Sequence, residues 1–306
     1  MKINRTYILL GVFVLLVVIA YFITREGGDK TSSYDIEGKQ LFKVDSALVD
    51  KIEIEQKGKK ITLSKMAVEW RITEPIDYSA YQQFIQTMLS DLKNYKLESI
   101  VSSNPEKKEK YGFTDSEVVK VSVYQGNELM GEFIVGSAST GPSQTFIKKI
   151  DSDDIYLTDG LLRNNFVKTN LDEWRDKLIL SIPKGNINSI EYIIPGENFK
   201  AVKDSTGKFY VGQDSVNSTV FDGILNLLQN FNTQRFKDTV FSKDTKFDKT
   251  VNVDWGKLTE INFLKMQDTL MTNYYIKVSD NNQIFEVDEG FTNNLIKTRK
   301  EITGQN

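Results

Sequence analysis

The chain has 306 residues, with 39 Lys+Arg against 42 Asp+Glu, a formal net charge of −3, and neither His nor Cys. Those absences exclude a cysteine nucleophile, a Ser-His-Asp triad, a thiolate or imidazole zinc site and a disulfide. Any metal must then be a hard cation held by oxygens. A 40% hydrophobic and 26% charged composition is that of a folded protein, and the length leaves room for about two domains.

From Tyr7 to Ile23 the chain reads YILLGVFVLLVVIAYFI, 17 residues without a charge. As a helix this is about 26 Å, and Thr6 and Thr24 extend it toward the roughly 30 Å hydrocarbon core. It has no polar face, so a transmembrane helix contacting the lipid bilayer through residues 7–23 is expected. Lys2 and Arg5 precede it and the first acid is Glu26, which predicts a cytoplasmic N-terminus and an exported body. The stretch Ala20 to Arg25 offers no small-x-small cleavage site, so residues 1–25 read as an uncleaved signal anchor. Without Lys2, Arg5 and Arg25 the bases fall from 39 to 36 against 42 acids, about −6. That charge argues against nucleic acid or an anionic membrane surface as the main partner, and no nucleic acid is expected.

Residues 26–43 are rich in Gly, Ser and charge and read as a linker. A duplication is expected after it, with modules at 44–180 and 181–306. Ile52-Glu53-Ile54 matches Ile190-Glu191-Tyr192, and Glu69-Trp70 matches Lys208-Phe209. Each is followed by a one-faced helix. Tyr81, Phe84, Ile85, Met88, Leu89 and Leu92 form the first stripe; Val220, Ile224, Leu225, Leu227, Leu228 and Phe231 form the second. Asn164-Asn165-Phe166 matches Asn293-Asn294-Leu295, and Ile155 to Asp159 matches Ile284 to Asp288, both at an offset of 129 (293 − 164). Pairing Leu129-Met130 with Leu270-Met271 places a second-copy deletion at the loop Gly136 to Ser143. Alternation marks strands at Val119/Val121/Val123, Phe133/Val135, Phe146/Ile150, Ile261/Phe263, Tyr274/Ile276 and Ile284/Val287, with a hairpin turn at Gly126-Asn127. The expected fold class is α+β: an N-terminal transmembrane helix, then two repeated modules, each an antiparallel β-sheet with its helices packed on one side.

Trp70-Arg-Ile-Thr-Glu-Pro75, a helix from Tyr78, Tyr111-Gly112-Phe113, Gly136, Ile155-Tyr156-Leu157 and Trp174-Arg175-Asp176-Lys177 appear in this order. In these residues the chain resembles an uncharacterised bacterial envelope family, a domain of unknown function often duplicated within one chain. The second half lacks the Trp-x(4)-Pro, Tyr-Gly-Phe and Trp174 equivalents. The resemblance implies a bacterial inner-membrane location with a periplasmic or extracytoplasmic body. Members are often encoded beside gliding-type auxiliary components of ABC transporters, so it also implies a protein partner in the envelope, such as ABC transporter subunits. It supplies no catalytic residues. Its signature positions read as structural, with Trp70 and Phe113 as core anchors and Gly112 and Gly136 as turn residues.

No motif in the chain carries chemistry clearly. Gly136-x(4)-Gly141 is half a phosphate loop, but Pro142 stands where lysine is needed. Ser181-Ile-Pro-Lys184 and Ser205-Thr-Gly-Lys208 have the spacing of a serine nucleophile and its base, but Pro183 and Gly207 spoil the helix. Asp151-Ser-Asp153-Asp154 lacks the glycine and the closing glutamate of a calcium loop and reads as an acidic turn. Lys107-Lys108-Glu109-Lys110 reads as a solvated helical turn, and Asn217-Ser-Thr219 as a helix cap rather than a glycosylation site. No catalytic, cofactor-binding or metal-binding residue is named, and no cofactor is expected. The leading expectation is a non-enzymatic, membrane-anchored extracytoplasmic interaction module, an accessory subunit of an ABC-transporter-linked envelope complex. The alternative is a ligand-binding protein holding a glycan or lipid fragment between the two repeats, favoured by 18 Phe and 13 Tyr.

Overall fold

A computed structural model describes residues 5–25, 36–116, 118–141, 143–160, 162–242, 244–266 and 272–304. Lys2, residues 26–35, Pro142 and Leu270-Met271, all used above, lie outside the described residues. Helix α1 (Arg5–Arg25) is continuous over 21 residues. Its side chains are described for 11–21, and Val12 through Ile19 are all exposed, from 43% at Val18 to 65% at Phe13. Among the described residues no helix is long and apolar enough to cross a membrane. Of the expected span 7–23, the side chains of 7–10, 22 and 23 lie outside the described ones.

The chain divides into two compact units between Thr169 and Asn170. In the first, β1 (Lys51–Gln56), β2 (Lys59–Met66), β3 (Glu69–Glu74) and β4 (Tyr78–Ser79) run outward from the middle of one sheet. Helix α2 (Gln82–Asn94) carries the chain back to β5 (Leu97–Ser102) at the far edge. Strands β6 (Val119–Gln125), β7 (Glu128–Ala138), β8 (Gln144–Lys148) and β9 (Ile155–Asp159) then fill the space between, giving the order 4-3-2-1-6-7-8-9-5. Every pairing is antiparallel. The register places Ile52 beside Leu63 and Val123, and Ile54 beside Val121, so one apolar row faces inward. Ile85, Met88, Leu89 and Leu92 of α2 bury against it, along with Leu162 and Phe166 of α3 (Leu162–Phe166). The opposite face is polar: Lys60 and Tyr124 both reach Glu53, at 3.0 and 3.1 Å. One apolar and one polar face is what an antiparallel sheet covered on a single side requires.

The second unit has β10 (Leu178–Leu180), β11 (Ser189–Ile194), β12 (Glu197–Lys203), β13 (Phe209–Val211), β14 (Asp214–Ser215) and α4 (Ser218–Gln229). They are followed by β15 (Phe231–Asn232), β16 (Arg235–Lys237), β17 (Lys249–Asp254), β18 (Leu258–Lys265), β19 (Asn273–Val278), β20 (Ile284–Asp288), α5 (Glu289–Leu295) and α6 (Arg299–Thr303). Its large sheet has the order 14-13-12-11-17-18-19-20-16, the same path as the first sheet strand for strand. The core, including Ile190, Tyr192, Ile224, Leu228, Phe263 and Phe285, lies wholly within residues 179–302.

Several expected boundaries move. Residues 170–180 belong to the second unit, because β10 pairs with β15. Residues 36–43 are not linker. Gly38 N–H donates to Leu97 O at 2.8 Å, Leu97 N–H donates to Lys39 O at 2.8 Å, and the Phe42 ring lies 5.4 Å from Phe133. The helix expected from Tyr78 begins at Gln82, since Tyr78 and Ser79 pair with Ile72 and Arg71 as strand β4. In β8 the inward residues are Thr145 and Ile147; Phe146 points the other way onto Tyr111, and Ile150 lies in a turn. The loop between β7 and β8 is residues 139–143, while its counterpart between β18 and β19 spans 266–272 and is longer. The shorter connection of the second unit is instead 238–248, against 103–118 in the first, which carries the 3-10 turn Pro105–Tyr111.

Candidate functional site

The first unit opens with a strap, residues 36–47, fastened to the C-terminal end of α2. Four carbonyls at a helix end have no partner within the helix. Here Gln40 Nε2 supplies a donor to Lys93 O at 2.7 Å and to Tyr95 O at 3.0 Å. Leu41 N–H donates to the Tyr95 hydroxyl at 3.0 Å, and burial pushes that phenol up to about 12. Between strap and helix lie two adjoining depressions of about 590 and 410 Å³ that share Lys93 and Asn94. Lys39, Lys43, Lys93 and Lys96 line them, and among the described residues neither lining holds a carboxylate. All four lysines are exposed, and among the described residues none makes an ion pair. The negative end of the α2 dipole favours cations there, but three of the four lysines come from outside the helix.

The Trp174-Lys177 motif fastens the start of the second unit. Asn170 and Glu173 form a capping box around a 3-10 turn, Leu171–Glu173. Arg175 is fully buried: Nη2 lies 2.6 Å from Asp238, Nε lies 3.5 Å from Asp172, and the guanidinium is 4.9 Å from the Phe236 ring centroid. Burial raises the Asp172 carboxyl above its usual range despite Arg175, with Asp238 adding repulsion. Burial also lowers Lys177. A buried charge held this way organises a fold and has no exposed face for a substrate.

The other signature residues are structural. Trp70 and Phe113 are each 5% exposed. Gly112 ends the 3-10 turn at φ 77°, in the left-handed region. Gly136 is not a turn residue: it lies inside β7, where a Cβ would sit 2.5 Å from Tyr111 O and 2.7 Å from the Phe113 ring. Gly136 and Gly112 let the 3-10 segment lie against the strand. Gln82, which no sequence motif marks, clamps the Trp70 backbone. Trp70 N–H donates to its Oε1 at 2.8 Å, and its Nε2 donates to Trp70 O and Ala80 O at 2.7 Å each. A glutamine opening a helix carries no sequence signal of such a role.

The weak motifs resolve into turns. Asp151 to Asp154 precede β9, with Ser152 Oγ accepting from Asp154 N–H at 3.1 Å and Asp154 accepting from Ser103 Oγ at 2.5 Å. Among the described residues no group of three Asp or Glu is placed to hold a metal. Ser181 Oγ donates to Gln229 O, and Asp204 accepts from the N–H groups of Thr206 and Lys208, closing a turn. Lys107 to Lys110 form an exposed 3-10 turn. Asn217 caps α4, accepting from Val220 N–H at 3.2 Å.

A family model described as a domain of unknown function, DUF4340, matches residues 70–250, more than half of the 306. The chain belongs to the DUF4340 family. The DUF4340 match starts at Trp70 in β3 and ends at Thr250 in β17, so it crosses the division between the two units and reaches well past the first-unit motifs. No curated protein and no solved structure matches the chain.

Proposed function

We propose that the protein is a membrane-tethered, non-enzymatic interaction module built from a duplicated α/β unit, serving a protein complex of the bacterial envelope. The observation that carries this is α1, where eight consecutive apolar side chains, Val12 to Ile19, face outward on every side of one helix. A helix apolar all round is stable when a nonpolar medium covers it. The common strand order of the two large sheets supports the duplication. The signature residues Trp70, Phe113, Trp174 and Arg175 are buried, as structural positions of the family motif should be. The ABC-transporter link rests on the family resemblance alone.

The test is crosslinking in cells, detergent extraction, affinity purification and mass spectrometry of the full-length protein. Stoichiometric recovery of envelope transporter subunits is the expected result. Recovery of the protein alone would remove the accessory-subunit reading, and turnover of a glycan, peptide or ester by the purified protein would remove the non-enzymatic one.

A further inference from the structure

We propose that the lysine-lined groove between the strap and α2 docks onto the anionic phospholipid headgroups of the same membrane that holds α1. This rests on the anchor reading of α1. The body is acidic overall, about −6 beyond the anchor, which by itself repels such a surface. Charge is unevenly placed, however. Lys39, Lys43, Lys93 and Lys96 converge from strap, helix and following strand lead on depressions with no carboxylate among their described lining residues, while Glu37 and Asp45 of the strap and Asp159, which accepts from Lys96 N–H, stand beside them.

Two observations choose a membrane over a dissolved anion. First, the groove is broad and shallow and its four ammonium groups are all exposed, so it lacks the enclosing, fixed donors that a small anion needs to give up its water. A layer of mobile headgroups makes no such demand. Second, ten residues, 26–35, separate α1 from the strap. Even fully extended they reach at most about 35 Å, which keeps the groove near the bilayer surface at high effective concentration. Each lysine at an anionic surface contributes roughly fivefold in partitioning, and the effect fades with salt.

The absence of cysteine makes a single label straightforward. Full-length Gln86→Cys, at the groove wall, is labelled with a fluorophore. It is reconstituted into nanodiscs of phosphatidylcholine, with or without about one-third phosphatidylglycerol, that carry a headgroup quencher. Strong quenching in the anionic discs is expected, falling to the phosphatidylcholine level in high salt and in a variant with all four lysines changed to glutamine. A four-arginine variant, which keeps charge and exposure, is expected to quench as the parent does. Equal quenching in both discs, or quenching indifferent to salt and to the glutamine changes, would overturn the proposal and leave the anchor reading standing. A signal in phosphatidylcholine discs driven by inorganic phosphate, without response to phosphatidylglycerol, would overturn it in favour of a soluble-anion site. Failure of the protein to enter discs at all would overturn the anchor reading and this proposal together.

Discussion

Arg175 and Gly136 carry constraints out of proportion to their size. Arg175 has no exposed surface and is held by carboxylates that are themselves partly hydrated, Asp172 at 33% and Asp238 at 55% exposure. Removing the guanidinium opens a cavity and strips two acids of their counter-charge. Arg175→Ala is expected to destabilise the second unit by about 3–5 kcal/mol in chemical denaturation. At Gly136 any side chain meets backbone at Tyr111 and the ring of Phe113, neither of which can swing aside. Gly136→Ala should therefore cost about 1–3 kcal/mol, by overpacking rather than by backbone strain. Gln82→Ala takes the side-chain partner from the Ala80 carbonyl and the Trp70 N–H and one of two donors from the Trp70 carbonyl, which keeps Ala80 N–H, and about 1–3 kcal/mol is expected there too. Trp70 and Phe113 are core residues as the family resemblance implies. Gln82 was not legible, because its role depends on a strand folding back to within 3 Å of a helix start.

At the level of elements, the helices were the most readable parts. The three- and four-residue spacing in α2 picked out Ile85, Met88, Leu89 and Leu92, all buried; Tyr81, expected in the stripe, is the exposed N-cap residue. In α4 the stripe missed Phe221, 2% exposed, and included Val220 and Leu227, which flank the buried face. Short strands were less readable. In β8 a one-residue error of phase exchanges the two faces, since side chains alternate with a period of two. The last helix, α6, is five residues and depends on its caps: Thr298 accepts from Glu301 N–H, and Glu301 accepts from Thr298 N–H and Oγ1. Thr298→Ala is expected to lower stability by about 1 kcal/mol. The Thr298 backbone N–H and then its hydroxyl hold the Glu301 carboxyl below the ordinary glutamate range. A folded pKa below the unfolded one gives stability that is complete above the unfolded value of about 4.3 and is lost as pH falls through the folded one. Glu301→Gln should flatten the melting-temperature profile on that acidic limb and leave its slope near neutrality unchanged.

At the scale of the whole molecule, the buried hydrophobic cluster of the second unit begins, among the described residues, at Ile179. A fragment of residues 170–306 should then unfold in a single cooperative transition, monitored by circular dichroism, because roughly 130 residues bury enough surface for an independent core. Deleting residues 1–25 should move the protein from the membrane pellet to the soluble fraction, as the anchor reading requires. The amino-acid sequence by itself determined what depends on neighbours along the chain: the apolar run of α1, the stripes of α2 and α4, the two-residue turn at Gly126 and the cap at Asn217. Tertiary structure alone decided what depends on residues far apart. It set the course of β5 and β16 to the far edges of their sheets, the burial of Arg175, the inclusion of the strap in the first unit, and the meeting of Lys39 and Lys43 with Lys93 and Lys96. The physical reason is range. Helical periodicity and turn chemistry act over a few residues, whereas sheet order and a charged groove exist only once packing has brought together segments some fifty residues apart.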